Sequence, residues 1–149
     1  MNIMTAGEPD IPEFYRLQLL AFESEAAMIG SRDVPALQET EDDFQRDFAH
    51  WTTLKLVTDE DVIVGVIRYR HDGDIVDVGR LMTHPDYRRQ GLAEKLLEAV
   101  DSVCAGKTRE LYTCTKSWTN IRLYEKMGYR PVKEVTEATG LSFVYMRKE

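Results

Sequence analysis

Residues 81–100, LMTHPDYRRQGLAEKLLEAV, decide how this chain is read. An apolar strand end comes first, then a Pro-containing turn, then Arg88-Arg89-Gln90-Gly91-Leu92-Ala93, then an amphipathic helix. A glycine at a helix mouth, approached through basic residues, suits a phosphorylated ligand. The free N–H groups of the first helical turn point outward and the helix dipole favours negative charge there. Gly91 has no side chain to keep a ligand away from the backbone. The motif is neither a Walker A loop, which ends in Gly-Lys-Ser/Thr, nor a three-glycine dinucleotide fingerprint. A nucleotide-binding kinase reading would need Mg²⁺ ligands that it does not contain.

Composition narrows the class. With 149 residues the chain fits one domain, taken here as 1–149, with a full core. Hydrophobic residues are 43% and charged residues 30%, an ordinary globular balance. A net charge of −7 argues against a nucleic-acid partner, which calls for a basic face, and fits a cationic or neutral small substrate better. Two cysteines, Cys104 and Cys114, are too few to staple a secreted fold, and the first residues resemble no signal peptide. No apolar run approaches the ~18 residues of a membrane span. The expectation is a cytoplasmic protein without a membrane partner.

Upstream, Asn2–Thr5 reads as a strand. The residues Ile11, Tyr15, Leu19, Phe22, Ala26 and Ile29 recur at helical spacing up to Gly30. Ser31–Glu39 has no period and reads as a loop. Thr40-Glu41-Asp42-Asp43 is a capping box with Asp in the third place, opening a helix with Phe44, Phe48 and Trp51 on one face. Strands are expected at Leu54–Thr58, Val62–Arg70 and Ile75–Thr83. The last two form a hairpin across His71-Asp72-Gly73-Asp74, and the run VIVGVI suits a strand covered on both faces.

Beyond Gly91, the residues Leu92, Leu96, Val100 and Val103 line one helix face, which ends by Gly106. A strand at Glu110–Thr115, a helix at Ser117–Met127 and strands at Tyr129–Thr136 and Leu141–Arg147 complete the chain. The order β-α-α-β-β-β-α-β-α-β-β is an α/β mixed sheet, and the helix after Gly91 should join parallel strands. The second distinctive stretch is Asn120-Ile121-Arg122-Leu123-Tyr124-Glu125-Lys126-Met127-Gly128-Tyr129. Taken alone, Tyr124 reads as a packed aromatic with its hydroxyl at the rim.

The two stretches together resemble the GCN5-related N-acetyltransferase (GNAT) superfamily. The shared pattern is a strand ending in L-x-[TV]-x-P, then [RQ]-x-x-G-x-[GA] opening a helix, then L-Y-E-K-x-G-[FY]. The resemblance covers Asn2 to Lys148. It implies a mostly antiparallel sheet of about six or seven strands with a central splayed parallel pair, flanked by about four helices. It also implies acetyl-CoA as cofactor, a small-molecule or peptide amine as acceptor, and a fold on which homodimers are common.

Carried over residue by residue, the backbone of Leu81, Met82 and Thr83 should pair with the pantetheine arm. The N–H groups of Arg88, Arg89, Gln90, Gly91, Leu92 and Ala93 should hold the pyrophosphate. Tyr124 matches the general acid for the departing thiolate. A phenol near pKa ~10 can assist a thiol near ~8.5 without ionising at neutral pH. Where the family commonly has Asn, this chain has Ser117, read as a helix N-cap; Asn120, on the same helix where the family commonly has a small residue, is expected as a further cofactor contact. Glu94 is expected to face solvent, away from the phosphates.

A general base is needed because an acceptor amine, near pKa ~10.4, is protonated at neutral pH. The resemblance implies a carboxylate on the strand before the cofactor turn, where this chain has Asp77, the first candidate, placed by strand alternation on one face with Gly79 and Leu81. Glu25 and Glu39, flanking the variable loop, are alternative bases or ligands of a cationic acceptor. His84 reads as a turn residue and Cys114 as a packed thiol, since TCTKS offers no activating base. His50 and His71 show no metal-ligand spacing, so no metal is expected. The alternative function is a CoA-binding regulatory module without turnover.

Overall fold

The computed structural model describes residues 1–149. Seven strands form one sheet in the order β1-β2-β3-β4-β5-β7-β6, where β1 is Asn2–Thr5, β2 Thr52–Val57, β3 Ile63–Asp72, β4 Ile75–Thr83, β5 Thr108–Cys114, β6 Arg130–Thr136 and β7 Ser142–Lys148. Five helices accompany it: α1 Ile11–Ile29, α2 Pro35–Gln38, α3 Glu41–Phe48, α4 Leu92–Val103 and α5 Trp118–Lys126. All neighbouring strands are antiparallel except β4 and β5, which the α4 crossover makes parallel as the sequence leads one to expect. The mixed architecture matches the expected one, with one more helix.

That helix is α2, in the stretch read as a loop. Pro35 starts it, and the single turn is held by burial of Ala36 and of the preceding Val34 rather than by any period. The helix before β2 also differs. It stops at Phe48, so Trp51 sits in the turn ahead of β2 and not on the face of Phe44 and Phe48. The capping box does form: Thr40 Oγ1 accepts from the Asp43 N–H, and Asp43 accepts from the Thr40 N–H, both at 3.1 Å.

The central strand β3 is covered on both faces. Ile67 packs with Leu96, Leu97 and Val100 of α4, while Val66 packs with Phe14 and Leu17 of α1 and Phe44 of α3. At Gly65 the strand passes close beneath α4, since a Cβ there would lie 2.9 Å from Leu96 Cδ1. Large apolar side chains are thereby removed from water on both sides, each at roughly 1.5–3 kcal/mol.

Two irregularities open the sheet. The pair β4–β5 is hydrogen-bonded only from Ile75–Asp77 to Thr108–Glu110. Beyond it β4 stays with β3 as far as Thr83, and β5 stays with β7 as far as Cys114, so the two strands part in mid-sheet. The second irregularity is a bulge in β4. Gly79 pairs with Arg68 and Met82 with Val66, leaving Arg80 and Leu81 opposite the single Ile67, and Arg80 takes a left-handed φ of 46°. Strict alternation therefore fails: Met82, not Leu81, shares the face of Asp77 and Gly79.

Candidate active site

The gap between β4 and β5 is continued by two clefts. One, of about 390 Å³, runs past Leu81, Met82 and Thr83 to the mouth of α4, with Arg88, Arg89, Gly91, Leu92 and Ala93 in its wall and Ser117 and Asn120 of the α5 segment opposite. The other, of about 440 Å³, lies on the far side of the gap and is walled by Trp51, Arg68, Asp77, Arg80, Tyr112, Thr113, Tyr124 and Tyr145. Phe22, Glu25, Leu81 and Asn120 belong to both walls, so the clefts meet there.

The first cleft has the features of an anion site. Gly91 is the N-cap of α4, adopts φ 72°, and no side chain caps the helix. A Cβ at Gly91 would meet no protein atom within 4 Å, so the space above the helix mouth is open. Arg89 is also left-handed, at φ 63°, which curls the backbone ahead of the helix. Arg88 and Arg89 are exposed, and neither forms an ion pair within the chain. The edge of β4 beyond Asp77 has no strand beside it, leaving backbone groups for an extended ligand to pair with.

Gln90 alone of the expected phosphate-binding run lies outside the cleft wall. Glu94 does not turn away to solvent. It is half-buried in the wall, and its carboxylate is paired with Lys126 of α5 at 2.9 Å, which neutralises it beside the anion site. Ser117 occupies the N-cap position of α5, but its hydroxyl makes no capping bond and is fully buried.

At the junction stands Glu25. Asn120 Nδ2 donates to its carboxylate at 3.2 Å, and the hydroxyls of Thr113 and Ser117 face it, though Ser117 Oγ lies outside hydrogen-bond geometry. Burial pushes the Glu25 carboxyl above its usual range, and these polar neighbours and Arg80 only partly offset that. Tyr124 lies beside it in the second cleft, buried to 6% exposure and edge-on to Tyr129. Its phenol is pushed well up, first by burial and then by the Glu25 charge, so it stays protonated.

The other expected carboxylates are placed differently. Asp77 lines the second cleft but is paired with Arg70, its cross-strand neighbour, at 3.2 Å. Glu39 lies in neither wall; it accepts from Gln18 Nε2 at 2.9 Å and faces Arg80 at 3.8 Å. His84 is a turn residue, with Nδ1 accepting from the Asp86 N–H at 3.1 Å. Cys114 is a free, buried thiol packed with Ile29, Val34, Leu141 and Phe143.

Residues 24–149, most of the chain, match the profile of the family described as acetyltransferase (GNAT) domain. The chain belongs to the GNAT acetyltransferase family. A Bacillus subtilis (strain 168) protein, UPF0157 protein YqkA, is 28% identical over 130 residues, which are 87% of this chain and 37% of that one. This GNAT chain thus spans little more than a third of that relative. Among solved structures, the Escherichia coli N-acetyltransferase for the alanine of a ribosomal protein superposes with TM-score 0.78 at 19% identity, over 99% of this chain and 92% of that one. The PaiA N-acetyltransferase of Thermoplasma acidophilum, solved with coenzyme A, gives 0.76 at 14% identity over 100% and 99%. At such identities these likenesses establish the fold. No helix of this GNAT domain is long and apolar enough to cross a membrane.

Sequence reasoning missed the arginines of the second cleft, Arg68 and Arg80, and the aromatic Trp51 beside them. The Arg68 guanidinium lies 4.2 Å from the centre of the Trp51 ring, and Arg70 is equally close. Their spacing carries no motif. The alternation of Arg68 and Arg70 on one strand face was the only available signal.

Proposed function

We propose that this GNAT domain is an acetyl-CoA-dependent N-acetyltransferase, with Glu25 as general base and Tyr124 as general acid. The observation that supports it best is the junction: a cleft suited to a pyrophosphate and pantetheine arm meets a second cleft at Glu25 and Asn120, beside Tyr124. The helix mouth at Gly91 and the unpaired Arg88 and Arg89 fit the phosphates, and the free edge of Leu81–Thr83 fits the amide-bearing arm. Bound there, acetyl-CoA supplies an activated acetyl thioester.

Glu25 accepts a proton from the acceptor ammonium, and burial moves its carboxyl toward the amine's range. The freed nitrogen forms the new C–N bond as the thioester C–S bond breaks, and the Tyr124 hydroxyl protonates the departing sulfur. The nitrogen sheds its remaining extra proton to solvent as it becomes the neutral amide, and solvent returns a proton to Tyr124 and takes the one on Glu25. Glu25 suits the base role better than Asp77, because Asp77 is neutralised by Arg70 whereas Glu25 has no basic partner in contact.

Calorimetry should detect acetyl-CoA binding, and thiol release with an amine panel should detect transfer. Binding of ATP as tight as acetyl-CoA, or no acetyl-CoA binding, would overturn the cofactor assignment. Tight acetyl-CoA binding with no turnover across the panel would point to a CoA-sensing module.

A further inference from the structure

We infer that the acceptor cleft carries a carboxylate subsite built by Arg80 and Arg68, so that the acceptor is an amine bearing a nearby carboxylate, of α-amino-acid type. The inference rests on the acetyl-transfer reading of the same cleft and names its substrate class.

In an acidic chain, two guanidinium groups stand together in the wall of this cleft. Arg68 is nine-tenths buried and ion-paired through one Nη to Asp47 at 3.0 Å. Arg80 is 15% exposed and makes no hydrogen bond; its only charged contact is the 3.8 Å approach to Glu39, already engaged by Gln18. The Nε of each is buried without a partner. A guanidinium has five N–H donors, and leaving buried donors unmet is costly, so two adjacent under-satisfied ones are a poor structural solution and a good anion site.

Burial, and after it the charge of Arg80, hold the Arg68 guanidinium below its usual range, against the opposing pull of Asp47 and Glu39. The bulge that aims Arg80 holds it at φ 46°, a conformation unfavourable for a side-chain-bearing residue and common beside functional sites. Arg80 also acts electrostatically on Glu25. Arg80 and Glu25 line the same cleft, so an anion on Arg80 shares it with the base, which places the carboxylate and the reacting amine within one small acceptor. A cleft of about 440 Å³ leaves room for a side chain against the aromatic wall of Trp51, Tyr112 and Tyr145.

The test compares phenylalanine, its methyl ester and phenethylamine as acceptors, with leucine and isopentylamine as a second pair, by thiol release and product mass. The free acids are expected to exceed the carboxylate-free amines in kcat/KM by ~30-fold, as loss of a charge-assisted contact implies. Arg80→Gly suits the positive φ and keeps the fold; it should raise KM for the acids ~30-fold, leave acetyl-CoA Kd unchanged, and abolish the preference over the ester. Arg80→Lys should recover part of that loss. Equal rates for acid and amine, or an unaltered KM in Arg80→Gly, would overturn the subsite. Acetyl-CoA affinity, measured separately, reports on the transferase reading alone. If no acceptor turns over, N-acetylphenylalanine titrated into the CoA-loaded protein reads the subsite directly. Binding weakened by Arg80→Gly supports it, and no binding, or binding indifferent to that change, refutes it.

Discussion

The two clefts of this domain are built in opposite ways. The helix-mouth cleft takes about half of its wall from one continuous stretch, Leu81 to Ala93, with α1 and the α5 segment opposite, and the recognition elements of that stretch are backbone N–H groups, a strand edge and a glycine conformation. The second cleft, proposed above for the acceptor, gathers side chains from α1, α2, the loop before β2, the strands β3, β4, β5 and β7, and α5. Backbone recognition suits an invariant ligand part such as a pyrophosphate, because it tolerates almost any side chain at the surrounding positions. Side-chain recognition suits a ligand that varies between relatives, because single substitutions can change it without disturbing the fold. One local motif can therefore name the cofactor class while the acceptor stays hidden in long-range packing.

The largest expected effect breaks the first cleft alone. Gly91→Glu forces a side chain into φ 72° and puts a carboxylate where the phosphates sit, so acetyl-CoA affinity should fall ~100-fold or more by calorimetry. Acceptor binding should be little changed. Normal acetyl-CoA binding in this variant would dissolve the distinction between a backbone-built and a side-chain-built site.

Next come the groups at the junction. Tyr124→Phe should lower kcat ~100-fold with acetyl-CoA affinity preserved, in the range for loss of one general acid. Its raised pKa predicts no loss of rate from Tyr124 ionisation at any pH up to ~10. Unchanged turnover would remove it from the chemistry.

Glu25→Gln should cut kcat/KM comparably and remove the acidic limb of the pH–rate profile, which reflects protonation of the base as pH falls through its raised pKa. The same shift fixes a stability effect. A carboxyl whose folded pKa lies above its unfolded value binds more protons when folded, so its contribution declines as pH rises from ~4.5 through the folded pKa. The amide variant should therefore melt higher than wild type at neutral pH, and the gain should fade toward pH ~4. A lower melting temperature at pH 7 would contradict the burial argument.

The smallest effect tests the rim of the first cleft. Lys126→Ala leaves Glu94 unpaired beside the phosphates and should weaken acetyl-CoA binding ~3-fold at low salt, less at high salt, as expected for a partly exposed pair.

Legibility in the sequence followed the range of the interaction. The helix of Leu92, Leu96 and Val100 and the doubly covered β3 were readable because periodicity and β-branching act over a few residues. The single turn α2 was not, since tertiary burial of Val34 and Ala36 makes it and no local pattern announces it. The face of Leu81 was misread because a bulge shifts the alternation by one residue, and nothing within Ile75–Thr83 reveals that two residues will oppose Ile67. Asp77 looked like the natural base by its place before the cofactor turn; only the cross-strand register shows Arg70 opposite it.

By itself, the sequence determined the family, the order of every element but α2, the uncapped helix mouth at Gly91 and Tyr124 as the residue to examine, because each rests on contiguous residues and backbone geometry. Tertiary structure alone decided that Glu25, rather than Asp77 or Glu39, stands where the two clefts meet, and that Arg68 and Arg80 share a buried wall. Those placements depend on the parting of β4 from β5 and on a bulge, which are products of packing between elements far apart in the chain.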